Sequence, residues 1–245
     1  MRHTLIIGRR VLTQLAHDRR LLALSIVAPL VIIYLLKLFF DTMPPLVDAA
    51  RYAMPVAAFL VHFLAFLLCA IVLVQERAAG TLERMFINGY RRAEVIGGYL
   101  LGYLALATLQ AVAAVTEVLL LFRLSYDGGT LAWLFVVVWL LAIASVMLGI
   151  FISTFARNAA QVFPFIPLVI VPSVFLSGLL VDSAALPGWA QGLGHLLPLY
   201  YANGVIQQII APRGAISAVW GDLAVLLAYS VVLLVLASRT LREAE

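Results

Sequence analysis

The side chains able to do chemistry gather in one stretch, Val74-Gln75-Glu76-Arg77-Ala78-Ala79-Gly80-Thr81-Leu82-Glu83-Arg84-Met85-Phe86-Ile87-Asn88-Gly89-Tyr90-Arg91-Arg92-Ala93-Glu94, which lies between two long apolar runs. A segment this polar between hydrocarbon-length helices must sit in water or among headgroups, where it can touch a soluble partner. Its chemistry is therefore that of docking. Gly80 can break a helix and Thr81 can cap the next. Leu82, Met85 and Phe86 then fall on one face at i, i+3, i+4 spacing, with Glu83 and Arg84 beside them. The expectation is a short helical knob, rigidly continuous with the helices on either side, whose apolar plug seats in a partner. The competing reading is a plain interfacial loop.

Other candidates are sparser. Tyr103, Gln110 and Glu117 recur every seven residues and share one stripe of a helix. An intramembrane carboxylate marks a functional site by default, so this stripe is a candidate substrate path. Alternatively, Gln110 bonds a neighbouring helix and Glu117 reaches the interface. His62 and Cys69 lie two turns apart, roughly 10 Å along a helix, too far for one metal ion. Cys69 is the only cysteine, which excludes an intrachain disulfide and implies no zinc or thiol chemistry. Gly98 and Gly102 form a Gly-x-x-x-Gly pair suited to close helix packing. A phosphate-binding loop needs Gly-x-x-x-x-Gly-Lys-Ser/Thr, yet the sole lysine is Lys37, within Tyr34-Leu35-Leu36-Lys37-Leu38-Phe39-Phe40. This chain is thus no P-loop ATPase. With no His-Glu-x-x-His or clustered aspartates either, no enzyme activity, metal or cofactor is expected on it.

Apolar helices must position these residues. The chain is 64% apolar and 11% charged with a mean hydropathy of +1.09, against a charged share of roughly 25% in soluble domains. It reads as an all-α integral membrane protein, a single transmembrane domain over residues 1–245. Six spans are expected at residues 21–40, 52–75, 95–122, 131–153, 160–181 and 217–237. Pro29 should kink the first span, Pro55 is tolerated in the first turn of the second, and Pro164, Pro167 and Pro172 each free a carbonyl in the fifth. Pro44-Pro45 and Tyr126-Asp127-Gly128-Gly129 mark turns on one side, and Ala156-Arg157-Asn158 a turn on the other. Residues 182–216 are too apolar for a free loop, with Leu186, Trp189, Leu193, Leu196, Leu197 and Tyr200, and fit short re-entrant helices.

Residues 1–20 form an imperfect amphipathic helix. Leu5, Val11, Leu12, Leu15 and Ala16 share one arc; Arg9, Arg10, Thr13 and His17 share the other; Ile6 and Ile7 fall off the apolar arc. It should lie in the membrane interface with its arginines toward lipid headgroups. The charged run is too long for a signal peptide, and no small-residue cleavage site follows the apolar stretch after it.

Six spans put both termini on one side, together with Arg2, Arg9, Arg10, Arg19, Arg20, Arg77, Arg84, Arg91, Arg92, Arg157, Arg239 and Arg242. Arg51, Arg123 and Arg213 lie opposite. The positive-inside rule then makes both termini and the Gly80 stretch cytoplasmic, in the cell's inner (cytoplasmic) membrane, while Lys37 snorkels near the outer end of span one. Basic clusters at span ends also account for the net charge of +4 and the pI near 9.5 without nucleic acid as a partner.

The run Glu76-Arg77-Ala78-Ala79-Gly80-Thr81-Leu82-Glu83-Arg84, followed by Glu94 and a glycine-spotted helix, resembles the signature of type-2 ABC transporter permeases, in which Glu-Arg-x-x-Gly-Thr-Leu-Glu links spans two and three. Also similar to that family are His17-Asp18-Arg19-Arg20-Leu21-Leu22-Ala23-Leu24, Ser153-Thr154-Phe155-Ala156-Arg157-Asn158, Leu176-Ser177-Gly178, Leu186-Pro187 and Leu197-Pro198. Ile87-Asn88-Gly89-Tyr90 departs from the threonine-proline pair often found there. The resemblance spans nearly the whole chain. It implies the transmembrane subunit of an exporter, working as a homodimer in membrane lipid with a cytoplasmic ABC ATPase subunit that holds ATP and Mg. Residues 76–92 would be the coupling region, with Glu76, Arg77, Gly80, Thr81, Leu82, Glu83, Arg84, Met85 and Phe86 as its coupling residues. Family members resembling it move drugs, lipids or glycan-linked lipids; short outer loops and an apolar interior favour drug-like or lipid-like cargo, with a lipid-linked glycan or lipo-oligosaccharide as the alternative. A secondary carrier would be expected to show inverted repeats and paired mid-membrane charges, and a membrane-embedded enzyme a polar constellation.

Overall fold

The structure, a computed structural model, describes residues 2–43, 49–211 and 219–240. In chain order its helices are α1 (Arg2–His17), α2 (Arg19–Asp41), α3 (Ala49–Ala78), α4 (Thr81–Ile87), α5 (Arg92–Leu121), α6 (Gly128–Ser153), α7 (Phe165–Leu176), α8 (Gly188–Gly194), α9 (Pro198–Ile210) and α10 (Trp220–Thr240), with 3-10 turns at Ala159–Val162 and Ser183–Ala185. Six segments are long and apolar enough to cross a membrane: Arg19–Asp41, Arg51–Ala78, Arg92–Leu121, Gly128–Ser153, Ala159–Leu176 and Trp220–Thr240. The chain is a multi-pass membrane protein. The expected turn at Pro44-Pro45 lies outside the described residues.

The bundle is built around α6, which packs against α3, α5, α9 and α10. Its sequence is apolar on every face, the mark of a helix enclosed by others. A methyl group on Gly149 would meet the Phe66 carbonyl at 2.6 Å, so glycine there lets α3 and α6 touch. One turn away the buried His62 Nδ1 lies 2.7 Å from Ser145 Oγ, which donates to the Leu141 carbonyl. His62 is a core residue. Helix α2 is also apolar along its middle but leaves Leu24, Val27, Val31, Leu35 and Phe39 exposed, as lipid-facing residues would be. At its far end Lys37 pairs with Asp41 one turn on.

Several local expectations need correction. Gly128 and Gly129 do not make a turn; they open α6, because the Asp127 carboxylate accepts from the Gly129 and Thr130 amides and the Thr130 hydroxyl. These bonds, the Thr130 hydroxyl first, hold Asp127 below the usual carboxylate range. Pro164 and Pro167 free no carbonyl, since one is the N-cap of α7 and the other lies in its first turn, where amides have no intrahelical acceptor. Pro172 alone interrupts that helix, and α7 stops at Leu176 instead of reaching residue 181.

Pro55 is not in a first turn either, because α3 begins by Ala49. Its missing amide leaves the Arg51 carbonyl unpaired, and Gln207 of α9 donates to that oxygen at 2.8 Å. The same arrangement recurs at Pro29, whose ring orphans the Ser25 carbonyl; Gln110 of α5 donates there at 2.9 Å. Each glutamine replaces a hydrogen bond that a proline removed.

Candidate coupling site

Glu76 sits in the last turn of α3 and is 6% exposed. Its two carboxylate oxygens accept from Arg10 Nη2 of α1 at 3.1 and 2.9 Å. The other nitrogen, Nη1, approaches Met85 Sδ of α4 at 3.9 Å. One guanidinium therefore ties α1, α3 and α4 together. Sequence reasoning assigned Arg10 to lipid headgroups; the signal it passed over was an acidic residue at a helix end with no basic residue one turn away on either side.

The next residue works toward α6. Arg77 Nη1 donates to the Ser153 and Ala156 carbonyls at 2.9 and 3.3 Å, at and just past the end of α6, placing positive charge at its negative pole. Gly80 then breaks the chain with φ +67, a left-handed conformation that side chains disfavour. The N-cap of α4 is Gly80, not Thr81, which is already the first helical residue. At the far end the Gly89 amide donates to the Phe86 carbonyl and the Tyr90 amide to that of Met85, with Gly89 at φ +84. This is a Schellman stop, and Asn88-Gly89 is its sequence signature.

The face of α4 formed by Leu82 and Met85 points inward, with Leu82 only 2% exposed, and Phe86 packs half-buried against the same core. The apolar plug thus docks on this chain's own helices rather than standing out for a partner. A seven-residue helix must bury its apolar face to stay folded. What it presents outward is Glu83, Arg84, Asn88 and Ile87, the last 86% exposed. Ile87 is the apolar residue that sequence reasoning missed. The i, i+3, i+4 pattern identifies a face but not what it meets.

Helix α1 completes the site. Its buried stripe is Ile7, Val11 and Leu15: Val11 and Leu15 belong to the expected apolar arc and Ile7 does not, while Leu5, Leu12 and Ala16 of that arc are exposed. Gly98 and Gly102 of α5 explain the choice: added methyl groups would lie 2.5 Å from Ile7 Cβ and 2.4 Å from Val11 Cγ1. The glycine pair does serve close packing, and its partner is α1. Nearer the chain start, His3 Nδ1 lies 3.2 Å from Glu94, whose carboxylate also accepts the Arg91 amide at 2.9 Å, and the His3 ring tilts over Tyr90 at 4.9 Å. Helix α1 therefore touches the end of α3 at Glu76, α4 at Met85 and the start of α5 along its glycine pair.

The candidate substrate stripe does not join an open surface of this chain. Tyr103 and Gln110 are buried, and Gln110 is committed to the Ser25 carbonyl; Glu117 is only partly covered. Among the described residues no group of His, Cys, Asp and Glu side chains is placed to hold a metal ion.

A family model described as "ABC-2 type transporter" matches residues 2–211. Among curated proteins the chain is similar to "ABC transporter G family member 20" of Dictyostelium discoideum, 26% identical over 174 residues, covering 70% of this chain and 24% of that protein. It is also similar to "Probable multidrug ABC transporter permease YbhR" of Escherichia coli (strain K12), 23% identical over 149 residues, 61% of this chain and 40% of the relative. "Linearmycin resistance permease protein LnrN" of Bacillus subtilis (strain 168) is 24% identical over 170 residues, 69% of this chain and 44% of the relative. The chain thus spans less than half the length of each of these relatives. The family match takes in all of α1 to α9, including the break at Gly80 and the helix that follows it. The chain belongs to the ABC-2 type transporter family.

Proposed function

We propose that this chain is the permease subunit of an ATP-driven exporter of hydrophobic or amphipathic molecules, with ATP and Mg held by a separate cytoplasmic subunit that docks on α4. The observation that carries this reading is the mounting of α4. Arg10, Glu76 and the Gly80 and Gly89 turns fix a short helix to α1, α3 and α5, while its outer face offers Ile87 between Glu83, Arg84 and Asn88. A push on that face moves three helices together, which is what coupling needs. The relatives named as permeases, for multidrug transport or linearmycin resistance, support the division of labour and the cargo class. The arginines at the α4 end support placing it in the cytoplasm. The homodimer of this reading rests on the family resemblance.

Interface energy concentrates in a few buried anchors, and Ile87 is the outward residue able to become one; an anchor of about 2 kcal/mol corresponds to roughly thirtyfold in affinity. The test is copurification of the ATPase, with substrate-stimulated ATP hydrolysis, for Ile87→Ala and Glu83→Arg. Ile87→Ala should loosen attachment strongly and Glu83→Arg, at an exposed rim, mildly. Full association and stimulation in both variants would overturn α4 as the docking element, and ATP turnover by this chain alone would overturn the separate subunit.

A further inference from the structure

At the end of the bundle opposite α4, the start of α3 and the segments from the end of α7 to the first turn of α10 form a cup, a cavity of about 490 Å³, within the roughly 300–1,000 Å³ typical of small-molecule sites. Hydrogen bonding alone selects no ligand for it. Unused donors stand on Arg51, Ser183, Tyr200 and Gln208 and on the second N–H of the Asn203 and Gln207 amides, whose first N–H groups go to the Ser177 and Arg51 carbonyls. Acceptors are at hand as well. Two of the oxygens on its walls, Ser177 Oγ and Asn203 Oδ1, are buried without a partner, on residues 3% and 2% exposed. Buried polar atoms in native proteins are nearly always satisfied, so this pair points to a group from outside the chain.

Charge and aromatic surface do select. Two carboxylates on the cup, Asp182 and Asp222, stand against one guanidinium. Arg51 lies 3.9 Å from Asp182, both more than half exposed, which leaves Asp222 as the uncompensated charge. Among the described residues the Asp222 carboxylate makes no hydrogen bond or ion pair. It lies against Gly204, where an added methyl group would stand 3.4 Å from Oδ2, and within electrostatic reach of His195 and Tyr201. An unpaired carboxylate in a partly covered cup favours a cation.

Three rings meet beside it. The His195 and Tyr200 centroids are 4.6 Å apart, those of Tyr200 and Tyr201 5.3 Å, and those of His195 and Tyr201 6.2 Å. Local bonds hold this corner. Gly194 makes room for Tyr200, whose Cδ2 would lie 3.2 Å from an added methyl group; the Tyr201 hydroxyl donates to the His195 carbonyl at 2.9 Å; His195 Nδ1 lies 2.7 Å from the Gln191 carbonyl. Aromatic faces attract organic cations, quaternary ammonium groups above all, through the ring quadrupole. A metal ion fits less well, because among the described residues no group of His, Cys, Asp and Glu is placed to hold one.

We propose that this cup binds an organic ammonium ion, its charged group between Asp222 and the ring corner and a hydrogen-bond donor of its own toward Asn203 Oδ1. The ion is a free solute or the head group of a choline lipid. The test uses the full chain, without any ATPase, in nanodiscs of phosphatidylglycerol, a lipid with no ammonium group. Choline is titrated by calorimetry in mildly alkaline buffer, where histidine is uncharged, with binding to empty nanodiscs subtracted. The comparison is the neutral analogue with a tert-butyl group in place of trimethylammonium, which keeps shape and hydroxyl and should bind roughly tenfold more weakly. Asp222→Asn should lower choline affinity severalfold with melting unchanged, since this carboxylate bonds nothing in the chain; Asp222→Glu should keep most of the binding. Tyr200→Leu should weaken it, and Tyr200→Phe, which retains the ring, should not. Replacing part of the lipid by phosphatidylcholine separates the two sources: loss of free choline binding assigns the cup to a lipid head group, unchanged binding to a solute. Equal affinity for the neutral analogue, unchanged choline binding in Asp222→Asn, or no saturable component, meaning a water-filled vestibule only, would each overturn the proposal. No nucleotide or ATPase enters the assay, so its failure leaves the exporter reading untouched.

Discussion

The two ends of the helical bundle handle polar groups in opposite ways. At the α4 end, Glu76 is held by both its oxygens and Arg77 covers the last carbonyls of α6. At the other end a cavity keeps buried acceptor atoms unpaired. A satisfied network is stiff, and an unsatisfied one waits for a partner. The difference teaches that the fold ties its helices together at one end and leaves polar atoms unpaired at the other, even though both ends rest on similar apolar helices.

The sharpest way to break this contrast is to unpair Glu76. Arg10→Leu leaves a carboxylate buried without its partner, and breaking such a pair costs about 3 kcal/mol or somewhat less here, because the Arg10 side chain is 39% exposed. The measurement is thermal unfolding of the full chain in nanodiscs. Arg10→Leu combined with Glu76→Leu should recover most of the loss, since the unpaired charge, more than the missing bridge, is what destabilises. A single variant as stable as the parent would mean the α4 end is not held by this pair.

A smaller effect separates the two faces of α4. Leu82→Ala removes a buried side chain and should lower stability by about 2 kcal/mol, while Ile87→Ala should leave the melting temperature of the isolated chain unchanged. If Ile87→Ala destabilises as much as Leu82→Ala, the outward face is packed on this chain and is not free to receive a partner.

How much of this was legible in the sequence depends on what each residue reports. Length and hydropathy locate the spans, because a helix must be apolar to cross hydrocarbon. The helix break at Gly80 and the packing role of Gly98 and Gly102 are legible because glycine has few other reasons to stand there. Direction is not. In a membrane protein an apolar residue can face lipid as readily as protein, so Leu5 and Leu12 look as buried as Val11 and Leu15 until Gly98 and Gly102 show where α1 lies. The stripe Tyr103, Gln110 and Glu117 is ambiguous in sequence for a related reason. A polar residue in a span needs a partner, and the sequence does not say whether that partner is cargo or a carbonyl freed by a proline.

The last and smallest effect tests that point at the cavity end, where Gln207 lines the cup and also reaches the Arg51 carbonyl. If the bond exists because Pro55 took away a helical donor, Gln207→Leu should cost about 1 kcal/mol, in the range of interhelical hydrogen bonds inside membranes. Pro55→Ala restores an amide four residues after Arg51, so the carbonyl can then be satisfied within α3. In that background Gln207→Leu should become neutral, and the two changes should be strongly non-additive. Additive losses would mean that Gln207 contributes through packing alone and that the Arg51 carbonyl finds its partner elsewhere. The same cycle run with Pro29→Ala and Gln110→Leu tests whether one rule governs both kinks, since the geometry of the two bonds is nearly the same, at 2.8 and 2.9 Å. Coupling at Pro29 without coupling at Pro55 would place the difference in the surroundings of Gln207: its side chain borders a cavity and water can replace it, whereas Gln110 is sealed between helices where nothing else can donate.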